Sequence, residues 1–133
     1  MRTTACGKAT RTGRLRKAGQ FLDAAAIVQT MSEGETDLED AYVTLCVHSG
    51  IASSDVICCA VLGKHARGES HDEAIALLKT ADADAAKHLS VLLGLKSKAG
   101  YTALAIGPSD VKRAQRAAER LFELGQRAHA NTG

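Results

Sequence analysis

Between Ala41 and Gly63 the chain reads AYVTLCVHSGIASSDVICCAVLG, and its only formal charge is Asp55. Wound as a helix, this run is apolar on most sides, with Ala, Gly, Ser and Cys filling the remainder. A helix apolar almost all round has to be covered on several sides at once. The pattern therefore predicts a central helix, covered by neighbouring helices and by a second copy of the chain. Gly50, Ala52, Ser53 and Ser54 suit the close approach of another helix, and a two-fold homodimer through residues 37–62 is the expected arrangement.

The flanking segments show helical periodicity on one face each. Leu15, Ala18, Leu22, Ala25 and Val28, with Phe21 beside them, predict a first helix over residues 12–31. Thr36-x-x-Glu39 matches a capping box and opens the apolar helix, which Gly63 ends. Ser70-x-x-Glu73 is a second capping box, opening a short helix through Leu78 with Ala74, Leu77 and Leu78 on its inner face and Ile75 flanking. A fourth helix, from Asp82 or Asp84 to Ala99, carries Leu89, Leu92, Leu93 and Lys96 on its inner side. After a loop over residues 101–107, Pro108 and Ser109 open a fifth helix through Ala128, with Ser109 as the expected N-cap. Its stripe is Val111, Ala114, Ala118, Leu121 and Gly125, widened by Phe122 and Leu124. Residues 1–11 carry no such pattern and are expected to form a flexible basic arm before a single domain over 12–130.

Composition agrees with this pattern. A chain of 133 residues is one domain with room for a real core. Proline occurs once and the aromatics are only Phe21, Tyr42, Tyr101 and Phe122, so the core is built from Leu, Ile, Val and Ala. The fold class expected is all-α: an antiparallel four-helix bundle with one extra short helix.

Charge is nearly balanced overall but unevenly spread. Arg2, Lys8, Arg11, Arg14, Arg16 and Lys17 precede the first acid, Asp23; Glu33, Glu35, Asp37, Glu39 and Asp40 then cluster without a base. Lys112, Arg113, Arg116, Arg120 and Arg127 make the last helix basic. Such basic segments fit either a solvated surface or a nucleic-acid contact. Cys46, Cys58 and Cys59 sit inside the apolar helix with no C-x-x-C, and are read as small core hydrophobes in a reducing cytoplasm. No signal-peptide pattern opens the chain. A membrane span over 41–63 fits by length but carries a mid-helix Asp, which costs about 2.5–3.5 kcal/mol on insertion scales. A soluble chain with no membrane partner is expected.

Few residues offer chemistry. Thr44, His48 and Asp55 share one side of the apolar helix, at spacings of four and seven. Buried polar groups must find partners, so the plain reading is internal satisfaction and the functional one a polar cleft with a titratable His. Lys96 lies on or beside the apolar stripe of its helix, placed either to snorkel or to reach Asp55 or a phosphate. His65, Arg67 and His71 surround the loop before the short helix. His65, Glu69, His71 and Asp72 lack the spacing of a zinc site, and neither a metal nor a cofactor is expected. The P-loop, dinucleotide, nucleophile-elbow and zincin motifs are all missing.

An acidic helix start feeding Ala41–Ala52, then His71-Asp72-Glu73-Ala74-Ile75 opening a short helix, then a Leu-rich helix ending Lys96-Ser97-Lys98-Ala99-Gly100-Tyr101, then Ser109-Asp110 opening an Ala-rich helix, is an order that resembles the HEPN superfamily. These are the higher eukaryote and prokaryote nucleotide-binding helical domains. The resemblance spans residues 19–128 and implies an antiparallel four-helix bundle that dimerises. Many members are metal-independent RNases of toxin and defence systems, marked by an Arg followed four to six residues later by a His. The matching helix end here has Lys96 and Lys98, with no His before His129, and Arg67 and His71 are one residue too close and lie in another loop. Lysine does not reproduce the bidentate fork of Arg on a phosphoryl group.

The leading expectation is thus a non-catalytic HEPN-like binding or interaction module, contacting a nucleotide or nucleic acid through a cleft between the second and fourth helices. His48, Asp55, Lys96, Lys98 and Tyr101 are the expected cleft residues, with phosphates on the lysines and a base on Tyr101. The alternatives are an RNase with a non-standard site, His71 acting as general base and Arg67 as phosphate clamp, and a structural partner subunit of a toxin–antitoxin pair.

Overall fold

A computed structural model describes residues 2–32, 37–68 and 70–132. The chain is predominantly helical. Its elements run β1 (Thr3–Ala5), α1 (Lys8–Ser32), α2 (Glu39–Leu62), β2 (Lys64–Ala66), α3 (His71–Ala81), α4 (Ala83–Gly100) and α5 (Pro108–Thr132). β1 and β2 form a two-stranded antiparallel ribbon in which Thr3 faces Ala66, Thr4 faces His65 and Ala5 faces Lys64.

Helix ends follow local chemistry at several points. Gly63 ends α2 at φ 71°, a left-handed conformation that a side chain would strain, and its N–H donates to Cys59 O. The Ser70 hydroxyl accepts the Glu73 N–H at 3.2 Å and so caps α3. Asp82 ends α3 and caps α4, its carboxylate accepting the Ala85 N–H at 3.0 Å. α5 begins at Pro108, where the missing N–H has no helical partner to lose. Ser109, expected as the cap, is inside the first turn instead, and the first α5 bond runs from Val111 N–H to Gly107 O. Thr36, expected to cap α2, lies outside the described residues.

α2 is the axis of the molecule. It packs against α1, α3, α4, α5 and β2, and Val43, Cys46, Val47, Ala52, Val56 and Ile57 are fully or almost fully buried along it. Alone among the described helices it is long and apolar enough to cross a membrane, and most of that apolar window is buried within the chain. The small residues expected to meet a second copy are used internally. The Ser49 hydroxyl donates to Ala18 O on α1 at 2.9 Å, and Gly125 of α5 lies against Ser53. Gly50 lets α4 and α5 close in: a Cβ there would stand 2.3 Å from Leu92 Cδ1 and 3.2 Å from Leu121 Cδ1. At Gly50 and Ser53 the close helix contacts are thus made within one chain.

Two glycines give opposite expectations. Leu92 and Leu121 are fully buried, so they have little room to yield to a side chain at Gly50. Gly50→Val is expected to lower unfolding free energy by about 2–3 kcal/mol through overpacking. Gly94, exposed inside α4 with nothing within 4 Å of a Cβ, should gain about 0.5–1 kcal/mol as Ala. Urea unfolding of the two variants checks both signs.

Two expectations about the N-terminal region are corrected. Residues 3–5 form a strand and α1 starts at Lys8, four residues before the expected first helix. The reason is covalent as well as local. Cys6 is disulfide-bonded to Cys59, with Cα atoms 5.6 Å apart, so Cys59 is not a free core thiol. Only Cys46 and Cys58 are free, both buried. The bond also removes the cysteine-based reason for placing the chain in a reducing compartment.

Candidate functional site

The helices leave a cavity of about 610 Å³ on one side of α2. α2 presents His48, Ile51, Ser54 and Asp55 to it, the last three lying three, six and seven residues after His48 and so toward one side of the helix. α4 presents Leu89, Leu93 and Lys96 from the opposite wall. β2 supplies His65 and Ala66, the capped start of α3 supplies His71 and Ala74, and Tyr101, the residue that caps the end of α4, closes one edge. A smaller cavity of about 160 Å³ adjoins it, sharing His48, Lys96 and Tyr101 and adding Thr44, Val47 and Gly100.

The structure thus brings His48, Asp55, Lys96 and Tyr101 to one place. Lys98 is elsewhere. Its ammonium donates to Asp110 Oδ2 at 3.1 Å, tying the end of α4 to the start of α5, and this bond holds the Asp110 carboxyl below its usual range. A two-residue step along a helix turns a side chain by roughly 200°, so Lys96 and Lys98 face different ways. His71 lines the cavity, but Arg67 does not: it is exposed, and its N–H donates to Arg2 O at 2.9 Å. Of the two residues expected as base and clamp, His71 alone lines the cavity. His48 is exposed rather than buried, its ring packed on Phe21 at 5.4 Å between centroids and 32° between planes. Tyr101 is 78 % exposed, a free aromatic face at the cavity mouth.

Asp55 is partnered by residues outside the expected set. Its Oδ2 accepts from Arg14 Nε at 2.9 Å, and His65 Nδ1 stands 3.8 Å from Oδ1. His65 Nδ1 also lies 2.9 Å from Ala66 O. A carbonyl oxygen only accepts, so Nδ1 carries the proton and the neutral ring keeps its lone pair on Nε2. The sequence held a signal for Arg14: it falls on the same stripe of α1 as Ala18 and Ala25, where a charge needs a partner. His65 carried none, because a three-residue strand shows no period.

Burial pushes the Asp55 carboxyl above its usual range, and the nearby Arg14 and His65 pull it back only in part. A carboxyl so raised holds its proton more tightly folded than unfolded. Stability therefore rises as pH falls through that raised value, and the ionised form costs stability at neutral pH. Asp55→Asn removes the charge and leaves Arg14, itself 28 % exposed, to water. The expected result is unchanged or slightly higher stability at pH 7, by at most about 1 kcal/mol, narrowing as pH falls. A loss above about 2 kcal/mol in urea unfolding would mean that the Arg14 pair outweighs the burial.

Among the described residues no group of three or more His, Cys, Asp and Glu is arranged to hold a metal ion, and Glu69 lies outside them. Lys96 takes part in no ion pair among the described residues. Comparison with known proteins finds no family model that matches the chain and no match among curated proteins.

Proposed function

We propose that this chain is a non-catalytic binding module of the HEPN-like kind, its α1, α2, α4 and α5 forming an antiparallel four-helix bundle. Its ligand is a nucleotide unit, free or within single-stranded RNA, received between α2 and α4. The gathering of His48, Lys96 and Tyr101 on the shared edge of two cavities carries this reading. Lys96 meets a phosphate and the exposed Tyr101 ring stacks a base, with His48 opposite; stacking of this kind is tolerant of base identity. Asp55, held by Arg14, sets the polarity of the floor.

The test is a titration of short labelled single-stranded RNA at two salt concentrations. Binding with a dissociation constant on the order of 10–100 μM at physiological salt, tightening as salt falls, supports the reading. Absence of salt-sensitive binding refutes it. His71 favours one further outcome, since it shares the cavity with Lys96. Cleavage of RNA by the wild type that disappears in His71→Ala would replace a binding module with a ribonuclease.

A further inference from the structure

One wall of the large cavity, β2, is paired to a strand that a covalent bond holds in place more than packing does. The β1–β2 ribbon is three residues long, extended by bonds from Cys6 N–H to Gly63 O and from Arg67 N–H to Arg2 O, each 2.9 Å. β2 packs on α2 and α3, whereas β1 has β2 as its one substantial neighbour among the described elements. An isolated two-stranded ribbon is marginal at best in water. What fixes β1 is Cys6, joined to Cys59 in the last turn of α2, one helical turn after Asp55. β2 in turn carries His65 and Ala66 into the cavity wall, and His65 stands beside Asp55.

We infer that the Cys6–Cys59 disulfide is a redox latch on the cavity. Its reduction releases residues 2–6 from β2 and frees His65 from its place beside Asp55; its re-formation restores the wall. The reductant is a dithiol, small or protein-borne. Cys59 is 2 % exposed and Cys6 is half-buried, so the attacking thiolate reaches Cys6 Sγ and the Cys59 sulfur leaves and takes a proton. The second thiol of the reductant then breaks the mixed disulfide. Cys6 and Cys59 end as thiols with two electrons and two protons gained, and the dithiol ends as a disulfide. The other cysteines stand aside. Burial pushes the Cys58 thiol up to about 12 and the Cys46 thiol up to about 11, so neither supplies a thiolate near neutral pH to scramble the bond.

The release is local because the packing of α2 on α1, α4 and α5 does not pass through β1. Amide hydrogen exchange followed by NMR tests this without any ligand, so its outcome is separate from that of the binding proposal. Adding dithiothreitol to the oxidised chain should speed exchange of the Cys6 and Arg67 amides at least about tenfold and move the His65 ring signals, while Val47 in α2 loses only what the lower global stability takes and stays far better protected than either. Cys6→Ser should show the released pattern with no reductant and should not respond to it. The inference falls if peptide mapping without reductant finds no Cys6–Cys59 linkage. It falls equally if Cys6 and Arg67 keep their protection on reduction, or if they and Val47 come to exchange at one common rate set by global unfolding.

Discussion

Chains carrying Cys6→Ala should unfold at markedly lower urea concentration than the oxidised wild type, with a loss of about 2–4 kcal/mol. The bond closes a loop across a sequence separation of 53 residues. Loop-closure entropy puts the upper figure for such a span at about 4 kcal/mol, most of it arising in the unfolded chain. The ribbon adds little, since few side chains of β1 are buried. Against a total stability of 5–15 kcal/mol for typical domains, the variant should still fold. The same loss should appear when the wild type is unfolded under a dithiol reductant, and reductant should change nothing in Cys6→Ala. Equal stability of wild type and variant would show that the bond does not form in solution.

Lys96→Glu should weaken binding of single-stranded RNA by about 30–100-fold, the largest effect expected on the ligand side. A charge-assisted bond to phosphate contributes about 1.5–3 kcal/mol, and reversal adds repulsion. Each 1.4 kcal/mol is about a factor of ten in affinity. Lys98→Glu is the matched control. It lies two residues on, carries the same charge, and faces Asp110 rather than the cavity, so it should shift affinity less than about threefold through the general field alone. Loss of binding in both variants alike would assign the interaction to the overall charge of the α4 end rather than to the cavity. Fluorescence anisotropy at fixed salt resolves the two cases.

How much of this was legible in the sequence depends on the length over which a signal repeats. The long periodic stripes of α4 and α5 and the caps at Gly63 and Ser70 appear in the structure where their residue types put them. So does the burial of α2, although its cover comes from its own chain at Gly50, Ser53 and Ser49. The ribbon was invisible because Thr3–Ala5 and Lys64–Ala66 are too short and too polar to show alternation. The disulfide was invisible because pairing between Cys6 and Cys59 depends on that ribbon being there. At the site, helix spacing was enough to place His48 and Asp55 on one face, and Lys96 toward them from α4. It failed for Lys98, whose partner on α5 decides where it points, and for Arg14 and His65, whose link to Asp55 spans separate elements.

An NMR titration of the oxidised chain with a short single-stranded RNA tests most directly whether the cavity between α2 and α4 is a binding site. Side-chain signals of His48, His71, Lys96 and Tyr101 should shift together and saturate with one dissociation constant, while those of Lys98 and Asp110 stay in place. Shifts confined to the arginines of α5, or none at the cavity at any RNA concentration, would contradict the account.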